Sequence, residues 1–226
     1  MLMADRRFHA QETRVARRLE CYYDYRSPFP FLAIEPVAEL GRRHSVAVEW
    51  IPIRLPELSS YRERPMGHTF PKRNAYIALD MQRWARRRGV EIRAPRVLVS
   101  SAQRRPASIL GKDHPLDTEA ALRGALVAKH RGVFDAYHRG VYRSVWGEGE
   151  DVSREEILAR VIQKIGEDPV SFRKSIDSEE VAAELGQRTE DADDRGVFGV
   201  PTFFADDEMF WGQDRLDFVE EALANS

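Results

Sequence analysis

Cysteine is almost absent: of 226 residues only Cys21 carries a thiol. A lone cysteine excludes an intramolecular disulfide, a C-x-x-C redox pair and a cysteine-rich zinc site. Lysine is scarce too, with Lys72, Lys112, Lys129, Lys164 and Lys174 the whole complement, so nearly all positive charge is arginine. An even spread of arginine reads as a codon preference, although its planar fork also suits carboxylate recognition. Long apolar runs are missing: nothing approaches the ~18 residues of a membrane span, and no signal-peptide core lies near the start. An excess of one charge is missing as well. Against 37 Asp+Glu stand 35 Lys+Arg, a net charge of −2, which argues against wholesale binding to nucleic acid or a membrane surface. The six histidines show no H-E-x-x-H or comparable metal-ligand spacing, and neither G-x-S-x-G, G-x-G-x-x-G nor G-x-x-x-x-G-K occurs.

What remains is a soluble, cytoplasmic, globular chain, 42% hydrophobic and long enough for one large domain or one domain with a big insertion. Met1 to Arg18 is polar and Arg-rich and reads as a flexible extension; Asp5 and Glu12 argue against a targeting peptide. Order is expected from Leu19, with a first strand over Leu19–Tyr25. Ser27-Pro28 then opens a helix, because Ser is a strong N-cap and Pro suits the first helical position. Apolar periodicity carries that helix to about Arg43, with Pro36 interrupting its middle. Val46–Ile53 is the second strand, which makes a right-handed βαβ unit with parallel pairing.

From about Pro71 to Gly196 the pattern turns helical, with segments at 76–85, 122–128, 133–145, 157–165 and 178–185 punctuated by glycine and Pro169. Strand signals return at Thr202–Ala205 and Glu208–Trp211 around an Asp206-Asp207 turn, and a closing helix starts at Asp214. The order βαβ, helical block, ββα predicts an α/β thioredoxin-like fold interrupted by a large all-helical insertion. The division expected is an extension over 1–18, a thioredoxin-like domain over 19–65 and 197–226, and an insertion over 66–196.

Three places could hold chemistry. Ser27 sits at a helix N-terminus, where a plain cap competes with a second use: among unpaired N–H groups its hydroxyl would hydrogen-bond a ligand's thiolate and lower that thiol's pKa. Val200-Pro201, after Gly199 and before a strand, is either an ordinary turn or a cis peptide whose Val200 backbone pairs with an extended peptide. Gln213-Asp214 precedes the last helix, where Asp214 either caps it or holds the ammonium of an amino-acid end. Cys21, within a strand of aromatics, reads as a buried small hydrophobe. Arg83, Arg86, Arg87, Arg88, Arg93 and Arg96 read as a solvated face that could also attract an anion.

Taken together, five separated motifs carry a resemblance: Tyr23–Phe29 (YDYRSPF), Asp80–Ala85 (DMQRWA), Val145–Gly149 (VWGEG), Val197–Thr202 (VFGVPT) and Asp207–Leu216 (DEMFWGQDRL). Over about Glu20 to Ala222 the chain resembles the 2-hydroxychromene-2-carboxylate isomerase and kappa-class glutathione transferase family, of the DsbA type. In thioredoxin-like redox enzymes C-P-x-C occupies this helix start; here Ser27-Pro28-Phe29-Pro30 does, and the family's sulfur comes from glutathione. The resemblance implies that Ser27 hydrogen-bonds that sulfur, Val200 before a cis Pro201 pairs with the cysteinyl backbone, and Gln213 and Asp214 hold the γ-glutamyl end. It implies a small aromatic carboxylate substrate, a conjugated α-keto acid. Thiolate addition would turn its double bond single, and rotation and expulsion would complete the isomerisation. A homodimer is the common family state. A kappa-like transferase or peroxidase using the same site is the alternative within enzymes, and a binding protein without turnover the alternative outside them. The loop Tyr61–Phe70 departs from the family's Asn-containing substrate loop, leaving Arg64, His68 and Lys72 as candidates there. Pro95–Leu116, with Arg104, Arg105 and His114, departs too.

Overall fold

The computed structural model describes residues 17–63, 71–98 and 116–225. Strand β1 (Arg18–Tyr23) alternates between two faces, as strand geometry requires. Leu19, Cys21 and Tyr23 enter the main core, whereas Tyr22 joins Ile51, Val200 and Phe204 on the other side. β1 pairs in parallel with β2 (Ala47–Pro52) and antiparallel with β3 (Thr202–Ala205), which pairs antiparallel with β4 (Glu208–Trp211). The sheet order is β2-β1-β3-β4, the βαβ and ββ units expected of a thioredoxin-like fold.

Helix α1 (Pro28–His44) runs from its Ser27 N-cap to Ser45, which ends it in the left-handed conformation. It buries Leu32, Ala33, Val37 and Leu40 against the sheet. Pro36 lies inside it. A proline there offers no N–H to the carbonyl four residues earlier and costs roughly 3 kcal/mol in an ordinary helix. That carbonyl is Leu32's, and Arg88 Nη1 from the next long helix donates to it instead.

The helical block comprises α2 (Ser59–Arg62), α3 (Pro71–Arg88), α4 (Glu119–His130), α5 (Phe134–Tyr142), α6 (Glu155–Lys164), α7 (Pro169–Ile176) and α8 (Glu179–Asp194). The chain closes with α9 (Leu216–Asn225). A wider turn of π type, Arg143–Gly147, ends α5. Helix α7 is a correction to the sequence pattern: Pro169 does not break the chain but occupies the first turn, with the Asp168 carboxylate accepting from Ser171 N–H at 2.8 Å. The core is continuous: Tyr23 and Phe203 of the sheet share it with Leu122, Tyr142 and Trp146 of the block. Among the described residues no helix is long and apolar enough to cross a membrane, and no group of histidine, cysteine and carboxylates could hold a metal.

Candidate active site

The turn from β1 into α1 hangs on Asp24. Its side chain is fully buried, and its carboxylate accepts from Arg26 N–H (2.9 Å), Leu55 N–H (3.0 Å) and the Thr118 hydroxyl (2.8 Å). Its main-chain carbonyl accepts from Ser27 N–H and the Tyr142 hydroxyl, both at 3.1 Å. Burial pushes its carboxyl pKa up, while the Arg26 charge and the three donors hold it back. Next in the chain, the Tyr25 carbonyl accepts from Trp146 Nε1–H at 2.8 Å. Helical-block residues Thr118, Tyr142 and Trp146 therefore shape the loop that presents Ser27. Nothing in the local sequence around these residues assigns them this role. The available signal was an acidic residue ending an aromatic strand, where burial demands partners.

Ser27 does cap α1: its Oγ accepts from Phe29 N–H at 3.4 Å. The expectation of unpaired backbone N–H groups around it needs correction. Of the four donors a helix start normally leaves free, Ser27 N–H goes to Asp24, Phe29 N–H goes to the Ser27 hydroxyl, and Pro28 and Pro30 have none. What remains for a ligand is the field of the helix dipole and the Ser27 O–H proton, which no described residue accepts. Capping and ligand binding are thus compatible, because the oxygen accepts the cap bond while its proton donates outward. The neighbouring Arg26 adds a weakly paired cation: its Nε is buried without a partner, and Asp117 is 3.9 Å away.

The second candidate, Val200-Pro201, is a cis peptide. Tyr22 lies opposite Thr202 in the β1–β3 register, which sets the loop after β1 and the residues before β3 at one edge of the sheet. No hydrogen bond among the described residues uses the Val200 main chain. The loop is held from behind: the Thr202 hydroxyl donates to the Gly199 carbonyl at 2.7 Å, and Gly212 N–H to that of Pro201 at 2.9 Å. A Cβ at Gly199 would lie 2.6 Å from Trp211 Nε1, so a larger residue there would displace that indole.

That bond from Gly212 brings the third candidate alongside. Gly212 takes a φ of +109°, and a Cβ there would meet the Asp214 carboxylate at 2.4 Å. Gln213 is buried, with Oε1 lacking any partner, and Asp214 is exposed and paired with Arg215 at 3.0 Å. Asp214 does not cap the last helix, which begins two residues later at Leu216, so its structural alternative falls away. Arg88 Nη2 donates to the Gln213 carbonyl at 2.9 Å. Arg88 thereby leaves the solvated face expected of the arginine cluster; burial, followed by the nearby Arg87 charge, lowers its pKa to about 10, opposed by Asp214.

Cys21 lies elsewhere, fully buried in β1, its thiol pKa raised well above normal by burial and by Glu20 and Glu49. Lys72 is exposed on α3; Arg64, His68, Arg104, Arg105 and His114 lie outside the described residues.

A family model for the DSBA-like thioredoxin domain matches residues 18–224. The chain belongs to that family. Among curated relatives of this DSBA-like protein are 2-hydroxychromene-2-carboxylate isomerases of Sphingobium xenophagum and Pseudomonas putida. The first is 28% identical, over 92% of this chain and 99% of the relative; the second is 29% identical, over 91% and 93%. A solved 2-hydroxychromene-2-carboxylate isomerase superposes with a TM-score of 0.76 at 27% identity, covering 92% of this chain and 95% of that one. A probable DsbA oxidoreductase from Streptomyces coelicolor (TM-score 0.70, 19% identity, coverage 92% and 89%) shares the fold. These likenesses support isomerase-like enzymatic function for this DSBA-like chain.

Proposed function

We propose that this enzyme is a glutathione-dependent isomerase of a small, conjugated aromatic α-keto acid. One observation carries the reading: the helix start where a redox relative needs cysteine holds Ser27, while the chain's own thiol is sealed in β1. The residues present suit glutathione. The unpaired Val200 main chain suits a cysteinyl backbone, the orphaned Gln213 Oε1 needs a donor such as an ammonium, and the Asp214 carboxylate offers it a counter-charge. Glutathione, when bound, supplies a thiolate nucleophile for reversible addition to a conjugated double bond. Ser27 O–H stabilises negative charge on the sulfur at the positive end of α1. Arg26 adds positive potential beside it.

Calorimetric titration of glutathione into the wild type and Ser27→Ala, followed by assays of hydroxychromene isomerisation and of conjugation to an aromatic halide, tests this. The expected result is binding by both proteins, isomerisation by the wild type, and a rate lowered about 10-fold to 1,000-fold in Ser27→Ala. A wild type that binds no glutathione overturns the reading; one that conjugates without isomerising replaces it with a transferase.

A further inference from the structure

Arg88 lies behind the site, and its two hydrogen bonds answer one structural need each. Pro36 leaves the Leu32 carbonyl of α1 without its helical donor, and Arg88 Nη1 supplies one. Arg88 Nη2 reaches the other way, to the Gln213 carbonyl at 2.9 Å. Trp84, one turn earlier on α3, lies against the guanidinium, 5.2 Å from ring centroid to Cζ. A single planar fork from the helical block therefore joins the helix that begins at Ser27 to the turn that carries Gln213 and Asp214.

We infer that Arg88 is a positioning residue for glutathione, setting the spacing between the sulfur end of the site at Ser27 and the γ-glutamyl end at Gln213–Asp214. This rests on the glutathione reading above. The physical reason is pre-organisation: the buried Gln213 Oε1 has no partner of its own, so the bond to the Gln213 carbonyl helps hold the residue in place. Lysine cannot replace the fork, because one ammonium does not reproduce the paired, planar donors that reach both carbonyls.

Glutathione titrations and melting curves on the wild type, Arg88→Met, Arg88→Lys, Pro36→Ala and the Pro36→Ala/Arg88→Met double variant separate positioning from mere support. Alanine at 36 returns an N–H to the Leu32 carbonyl, so the double variant is expected to recover much of the melting temperature lost in Arg88→Met. Glutathione affinity is expected to fall about tenfold in Arg88→Met and Arg88→Lys. It should stay low in the double variant and remain at the wild-type level in Pro36→Ala. A wild type that binds no glutathione overturns the site reading and this role with it. Wild-type binding with undiminished affinity in Arg88→Lys overturns the positioning role alone, as does affinity that returns with the melting temperature in the double variant. Should Arg88→Met fail to fold, Arg88→Lys and the double variant carry the same comparison.

Discussion

At the scale of single residues, two side chains frame the proposed chemistry by opposite means. Cys21 is withdrawn: it lies in the core beside Glu20 and Glu49, where a thiolate would be uncompensated. Cys21→Ala is therefore expected to keep the proposed glutathione-dependent activity while losing about 1 kcal/mol of stability, measured by denaturant unfolding. The native thiol should also resist alkylation until the protein unfolds; fast labelling of the folded chain would contradict its assignment. Ser27 is offered instead, with its backbone neighbours stripped of donors by Pro28 and Pro30. His138 is a third residue with a measurable consequence. It is fully buried among aromatic rings, 3.2 Å from the Tyr25 hydroxyl through Nδ1, with Nε2 unpartnered. Burial, then the Arg139 charge, lowers its pKa well below normal. A depressed folded-state pKa contributes stability that is present above the unfolded value near 6.5 and lost as pH falls through the folded one. As pH falls below about 6.5, unfolding free energy should thus fall by up to about 1.4 kcal/mol per pH unit more steeply in the wild type than in His138→Gln. Parallel profiles would refute this.

At the scale of elements, the loop between β1 and α1 depends on the helical block as well as on its own Asp24 and Ser27. Trp146 from the wide turn after α5 donates to the Tyr25 carbonyl, and Tyr142 to that of Asp24. Trp146→Phe removes the pyrrole ring with its N–H, leaving a small gap and orphaning a buried carbonyl, so a cost of about 1–3 kcal/mol is expected in denaturant unfolding. Faster amide exchange should appear at residues 24–29; exchange unchanged there would separate the block from the loop. The sequence makes some elements legible and hides others for reasons visible here. Ser27-Pro28 and Asp206-Asp207 carry their own turn chemistry, so α1 and the β3–β4 hairpin are readable locally. Pro169 conceals α7 because proline both ends helices and starts them, and only the Asp168 cap distinguishes the two. Asp214 suits a cap by composition, yet it lies inside the turn that Arg215 N–H closes on the Gly212 carbonyl, and α9 begins only at Leu216.

At the scale of the whole molecule, the sheet and the helical block share one core, and both contribute residues to the proposed site. The sheet edge aligns the loop after β1 with cis Pro201, the Gly212 bond adds Gln213, and Arg88 crosses from the block to tie that turn to α1. The positions of Ser27, Val200, Pro201, Gln213 and Asp214 are readable from motifs. The roles of Thr118, Tyr142, Trp146 and Arg88 are not, since each depends on a contact between segments far apart in the chain. On the glutathione reading, this fold borrows its reactive sulfur. The most direct measurement is the pH titration of thiolate absorbance for glutathione bound to the wild type and to Ser27→Ala. The expected result is a bound thiol pKa well below the ~8.5 of a free thiol in the wild type and a return toward that value in Ser27→Ala. Glutathione that fails to bind, or that titrates identically in both proteins, would contradict it.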